Sequence, residues 1–349
     1  MRKVKWLCIL IIISLCMCFV GCSDEKSKNS KVSSEDILDG ENNENIANIF
    51  SESVTPSSLG SFYFGYDGIS DNMQVYEYRG EEIHIPFKVT GMDEKANSEF
   101  GLIVFVDGIL QPYRIKKKTG EESEEKFMQK FSLKNEESEE FDIVFIPVTG
   151  KEGDSSAVIT STILKPDFMP EDEKNPNYGG YHSISANTPQ EICFKCDVMN
   201  ETEKTGYLEF TMEDIPQEIR DEYEIFHDDG SDDILDTTCI TELFQDDKKQ
   251  VKFYAKDGKV KCKFRIYGGV EASYRTTIFV NHKPVPVMGA DYIETKTVKG
   301  KICTVEFELE VGTSQKLNTI YAISVPCGRD YMITSNYPIK TSSALLIND

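Results

Sequence analysis

Four histidines, His84, His182, His227 and His282, are the side chains here whose ordinary pKa suits a general base near neutrality. A nucleophilic triad needs such a base held beside a nucleophile, and a zinc hydrolase needs ligands at fixed spacing. No Gly-x-Ser-x-Gly elbow and no His-Glu-x-x-His pair accompanies any of the four. His84 lies between Ile83 and Ile85 in an alternating stretch, so it is expected to face solvent, and His282 reads as a turn residue. The 60 acidic residues are too many for any pair to stand out as acid and base. His227, Asp228, Asp229, Asp232, Asp233 and Asp236 surround Gly230 and offer the hard oxygens that Ca²⁺ prefers. Their spacing departs from the EF-hand loop, so 227–236 is read as an exposed acidic loop and no metal is assigned. Cys193 and Cys196 form a C-x-x-C, but zinc would need a second pair and thioredoxin-like chemistry a βαβ context. Cys239, Cys262, Cys303 and Cys327 are scattered singly. Structural roles are expected for all six cysteines, and the sequence does not choose among disulfide pairings.

Two aromatic clusters remain, Phe62, Tyr63, Phe64 and Tyr66, and then Tyr178 and Tyr181. Exposed rings could stack on sugars or anchor a protein partner, whereas rings at a sandwich edge would simply cover it. The covering role is the expectation. No catalytic residue, cofactor or metal ligand is assigned, and an enzyme is not expected.

The elements that would carry these residues are strands. Stretch 101–113 reads as a hairpin with Asp107-Gly108 at its turn, a pair that favours the positive φ angles of a type I′ turn. Stretch 276–287 repeats it at a constant offset, matching Phe105 to Phe279, Val106 to Val280, Asp107 to Asn281 and Pro112 to Pro286. Phe87, Val89 and Gly91 are echoed by Phe264, Ile266 and Gly268. The apolar run 319–325 with Pro326 is matched to 141–146 with Pro147. These likenesses predict a duplicated β module, each copy with its own core. The first is placed at 61–170 and the second at 250–349, with a linking segment at 171–249 that has extra strands and could belong to the second. Ile83, Ile85, Phe87 and Val89 alternate in one strand, and Cys303, Val305, Phe307, Leu309 and Val311 in another. Phe127, Phe131 and Leu133 fit a further strand. Asp214 followed by Ile215-Pro216 predicts a short helix with Ile219 and Tyr223 on one face. The fold class expected is all-β, with tandem immunoglobulin-like β-sandwiches behind a signal peptide and a flexible stalk.

That address occupies the first 22 residues. Arg2, Lys3 and Lys5 make a positive start, and 6–20 is an apolar run of roughly fifteen residues, short for a span and right for a signal peptide. It ends in Phe19-Val20-Gly21-Cys22, which resembles the lipobox of bacterial membrane lipoproteins. The resemblance covers the leader alone. It implies cleavage after residue 21 and a diacylglycerol on the Cys22 thiol, making Cys22 the lipid-attachment residue and the extracytoplasmic membrane face the location. Residues 22–60 are rich in Ser, Asn, Asp, Glu and Lys and are expected to form a stalk reaching on the order of 30–35 Å. The net charge of −22 disfavours nucleic acid as a partner. The expected role is a lipid-anchored binding or scaffold protein that engages another envelope protein or a polysaccharide. The alternatives are a solute-receptor lipoprotein of a transporter, which lacks the repeated βα units it would need, and an envelope enzyme with an unrecognised site.

Overall fold

Period-two alternation specifies the first strands. In Ile83–Gly91 every odd residue is buried while His84, Pro86, Lys88 and Thr90 lie toward solvent. The computed structural model describes residues 61–67, 73–174, 184–199, 204–224, 234–245, 252–312, 315–332 and 337–349. Its first half holds β1 (Phe62–Tyr66), β2 (Val75–Tyr78), β3 (Ile83–Gly91), β4 (Ser98–Val106), β5 (Ile109–Gln111) and β6 (Arg114–Lys117). These are followed by β7 (Met128–Leu133), β8 (Ser138–Phe145), β9 (Ser155–Leu164), β10 (Ile184–Ala186) and β11 (Gln190–Phe194). They make two sheets, one ordered β1-β3-β8-β6 and the other β2-β11-β9-β4-β5, with β7 also on β4 and β10 on β9. The core between them is strongly aromatic. Phe100 stacks between Phe62 and Phe131, at centroid distances of 4.1 and 5.2 Å, and Phe131 stacks on Phe141 at 5.6 Å. Tyr113 is wholly buried and its hydroxyl donates to the Leu102 carbonyl at 2.8 Å, which satisfies the one polar atom of that ring.

The second half begins with β12 (Gly206–Tyr207) and β13 (Thr211–Asp214), then α1 (Gln217–Glu224), α2 (Ile234–Thr237), β14 (Cys239–Phe244), β15 (Lys252–Ala255) and β16 (Lys259–Gly268). It continues with β17 (Ala272–Val280), β18 (Lys283–Val285), β19 (Tyr292–Thr297), β20 (Lys301–Glu310), β21 (Leu317–Pro326), β22 (Ile339–Lys340) and β23 (Ala344–Asn348). One sheet is ordered β13-β20-β16-β14, the other β12-β19-β17-β21-β23-β15, with β18 on β17 and β22 on β21. The two orders superimpose in sequence: β1 to β5 take the places of β14 to β18, and β7 to β11 those of β19 to β23. Even single bonds repeat, since Asp107 N–H donates to Ala157 O at 2.8 Å and Asn281 N–H to Thr319 O at 2.9 Å. Phe105 and Phe279 occupy equivalent register positions, opposite Ile159 and Tyr321. The place of β6 beside β8 is taken in the second copy by β13, and β12 beside β19 has no counterpart, so the chain carries two immunoglobulin-like sandwiches that share one order over ten strands and differ at their edges.

Several expected details are corrected. The first sandwich does not end at 170, because β11 pairs antiparallel with β9 and parallel with β2 and puts Ile192 and Phe194 into its core. The linking segment is thus divided, its early strands completing the first sandwich and β12, β13 and β14 joining the second. The strand at 317–326 corresponds to β9, not to the 141–146 run, because it pairs with the central strand β17 while β8 pairs with β3. An apolar run ending in proline is common to strands of either sheet. Phe127 lies just outside β7 and is partly exposed. The helix expected after Pro216 is α1, and Ile219 and Tyr223 pack with Ile215, Leu235, Tyr267 and Ile302 on the outside of the β16/β20 sheet.

The cores are also not independent. In β4, β9, β17 and β21 nearly every residue is buried, on both faces of the strand. One face fills the strand's own sandwich. The other meets the opposite sandwich in a shared cluster of Ile103, Phe105, Leu110 and Ile159 against Phe279, Tyr321, Ile323 and Val325. The larger sheets are therefore packed together, and the smaller ones face outward. Their outward faces carry ion pairs such as Lys263–Glu306 at 2.8 Å and Lys88–Glu140 at 3.4 Å.

Candidate functional site

The Asp107-Gly108 turn is one place where the two sandwiches meet by polar contact. Both residues have positive φ, 50° and 74°, as the type I′ reading requires, and Asn281 and His282 have 50° and 61°. Asp107 carries its side chain out of its own sandwich. Its carboxylate pairs with the Arg275 guanidinium, its backbone carbonyl accepts from Arg275 Nη1 at 2.7 Å, and its Oδ1 accepts from Gly328 N–H at 2.8 Å. Arg275 Nε donates to Glu294 at 3.2 Å, and the guanidinium lies 5.2 Å from the Tyr292 ring centroid. Burial opposes the charge on Arg275, but Asp107 together with the Cys327 and Tyr292 side chains offsets it, and the pKa stands above the usual guanidinium value. Beside it, burial pushes the Cys327 thiol up to about 12.

Asp107, Arg275, Glu294, Cys327 and Gly328 line a cleft of about 420 Å³, together with Ser273, Lys296 and Asp330. Asp330 is fixed there by accepting the Ser273 N–H at 2.7 Å. Leu208 and Phe210 also line it and are 60% and 39% exposed, enough for both to offer apolar surface to a partner. They stand out because the chain crosses here from β12 in one sheet to β13 in the other, with Tyr207 and Met212 turned inward on either side. The cleft thus joins an apolar lip to a floor of mutually paired charges. That combination suits contact with a polypeptide or a substituted polymer. Asp107 and Glu294 are engaged with Arg275, and Asp330 with the Ser273 N–H.

The residues singled out from sequence are dispersed. His84 is exposed on β3, with Nδ1 3.5 Å from Asp142 Oδ2. His282 is half-buried at the second turn and reaches the first sandwich. Cys193 and Cys196 are partly buried free thiols, Cys193 Sγ lying 3.4 Å from Ser155 Oγ. Cys262 and Cys303 face inward as expected, and burial raises both thiol pKa values, that of Cys303 to about 11. Phe62, Phe64 and Tyr66 pack on the first core from the edge strand β1, while Tyr63 points outward. Cys22, Tyr178, Tyr181, His182 and His227 lie outside the described residues, as does most of the 227–236 loop. Among the described residues no group of three or more His, Cys, Asp or Glu is placed to hold a metal ion. Arg275, Glu294, Leu208 and Phe210 were not anticipated. A charged residue at the start of the β-prone stretch 276–280 was the available signal for Arg275. Leu208 and Phe210 read instead as part of the extra strands expected in the linking segment.

No protein-family model matches the chain, and no curated protein matches it. Among solved structures, it is similar to the fibronectin(III)-like modules of Clostridium thermocellum CbhA, at 9% identity over 82% of this chain and 94% of that one, with a TM-score of 0.21. The C-terminal domain of the Streptococcus agalactiae AgI/II polypeptide BspA gives 8% identity, 82% and 100% coverage and a TM-score of 0.21. A chaperone–tip adhesin complex of CFA/I fimbriae gives 12%, 80%, 97% and 0.21. At such scores these likenesses carry no argument about function.

Proposed function

We propose that this chain is a lipid-anchored extracytoplasmic binding or scaffold protein of the bacterial cell envelope, acting by contact with another envelope protein or an extracellular polymer and not by catalysis. The observation that carries the reading is the cleft at the junction, where Leu208 and Phe210 stand exposed over the Asp107–Arg275–Glu294 network. Exposed apolar side chains bordered by polar groups match the apolar centre and polar rim of a protein interface. The anchor is supported by the basic start, the apolar run and the lipobox-like Phe19-Val20-Gly21-Cys22. A stalk behind the lipid would present the cleft to neighbours on the membrane surface.

The test has two arms. Cys22→Ala should abolish metabolic labelling with a fatty acid and leave an uncleaved precursor, and undiminished labelling would remove the anchor. A glycan array and pull-down from solubilised membranes, run with the protein and with a Leu208→Ser, Phe210→Ser variant, addresses the cleft. A ligand retained by the protein and lost by the variant supports the reading, and equal binding by both removes the cleft from it.

A further inference from the structure

The second sandwich lacks a strand that the first possesses, and the two ladders locate the gap. Phe87 pairs with Phe141 and its echo Phe264 with Val305, so Asp142, Ile143 and Val144 of β8 correspond to Glu306, Phe307 and Glu308 of β20. In the first sandwich β6 runs antiparallel along these positions, with Arg114 opposite Val144, Ile115 opposite Ile143 and Lys116 opposite Asp142. In the second, β13 takes that side of β20 only at 301–304. Chain length explains the difference. The connection that carries β6, 112–128, is ten residues longer than its counterpart 286–292, which a tight turn at Met288-Gly289 completes.

Alternation along the ladder says which groups this leaves open. Val311 N–H donates to the Gly258 carbonyl at 2.7 Å, so the odd residues of β20 bond toward β16 and the even ones point away. The Thr304 carbonyl accordingly lies toward β13, 3.5 Å from Thr211 Oγ1. In β8 the Glu137 carbonyl accepts from Gly91 N–H at 2.9 Å, so there the odd residues face β3, and Asp142 and Val144 face β6. The N–H and C=O of their counterparts, Glu306 and Glu308, run along an edge with which no strand pairs at 305–308 among the described residues. A cleft of about 410 Å³ lies there, lined by Glu306, Phe307, Glu308, Cys262 and Met288. Met288, at the tip of the shortened connection, is 61% exposed and gives the cleft an apolar wall.

We propose that this edge of β20 is a strand-acceptor site: it binds an extended polypeptide segment of basic–apolar–basic pattern, antiparallel to 305–308, in the position that β6 fills in the first sandwich. The pattern is that of β6 itself, where Ile115 is buried in the core between the outward Arg114 and Lys116. In the second sandwich the apolar residue covers Phe307 and Met288, and the two basic ones stand opposite Glu308 and Glu306. Those glutamates already pair across to Lys259 and Lys263, at 2.9 and 2.8 Å. A second cation is accommodated, as Glu140 of β8 holds both Lys88 and Lys118. A second copy of the same edge fits poorly, because its outward residues would set glutamate against glutamate. The site shares no lining residue with the cleft at the junction.

The probe is a fluorescent peptide with the sequence of residues 112–118, added in excess to the full chain. Hydrogen exchange resolved to single residues should show the Glu306 and Glu308 amides at least tenfold better protected with peptide. The Val305 and Phe307 amides, already bonded to β16, should be unchanged, and that alternation is the mark of an added strand. Methylating the peptide nitrogen at Lys116, or replacing Ile115 by Asp in the peptide, should weaken binding at least tenfold by fluorescence anisotropy. Glu306→Lys with Glu308→Lys should do the same from the protein side. No gain of protection at Glu306 and Glu308, or equal binding by the methylated peptide, would overturn the proposal. So would a dimer that protects both amides without peptide and is not displaced by it, since the edge would then belong to a second copy.

Discussion

Asp107 and Asn281 hold one position in two copies of a hairpin, yet their side chains go different ways. Asn281 stays within its sandwich, donating to Asn318 Oδ1 at 2.7 Å and accepting the Thr319 N–H at 3.0 Å. Asp107 crosses to Arg275 and Gly328. The turn geometry was legible in the residue types, because Asp-Gly and Asn-His each offer residues that accept positive φ. The crossing was not, because nothing in a single sequence says which surface a turn meets. Gly108 shows the consequence. A Cβ there would stand 3.1 Å from the Val325 carbonyl oxygen and 3.2 Å from the Cβ atoms of Arg275 and Cys327, all in the second sandwich. Gly108→Val therefore combines backbone strain with a clash across the junction and should cost roughly 1–3 kcal/mol, measured by chemical denaturation. A cost near zero would mean that the turn relaxes freely.

At the scale of elements, alternation was the most informative signal. It placed Ile83, Ile85, Phe87 and Val89 inward in β3, and Cys303, Val305, Phe307, Leu309 and Val311 inward in and after β20, as the structure has them. Continuous apolar runs said less. Residues 102–106 and 320–325 are buried on both faces, and such a run does not name what covers its second face. The last strand of the first sandwich was assigned to the linking segment for a different reason. β11 lies far along the chain from β2, its parallel partner, and no hairpin turn announces it. Ile192 is nonetheless wholly buried among Ile85, Val104 and their neighbours. Ile192→Ala should destabilise the protein by about 2–5 kcal/mol in urea unfolding, the range for truncating a large core side chain. A loss below about 1 kcal/mol would place β11 outside the core.

At the scale of the molecule, the four sheets form a stack whose two inner members are the larger ones, and the charged ladders lie on the outside. A duplicated module usually suggests two domains joined by a linker, with separate cores and separate melting. Here the equivalent phenylalanines of the two copies, Phe105 and Phe279, share a third core, with Phe279 stacked on Tyr321 at 5.1 Å. Each copy keeps its own core, as expected, but the third cluster couples the two through the packed sheets. The cleft proposed for binding depends on the same arrangement, since Asp107 comes from one sandwich and the other lining residues from its partner. Scanning calorimetry of residues 61–349, with and without Phe105→Ala, measures this most directly. The predicted result is one cooperative transition that moves down as a whole in the variant. Two separate transitions, with only the first displaced, would contradict the account.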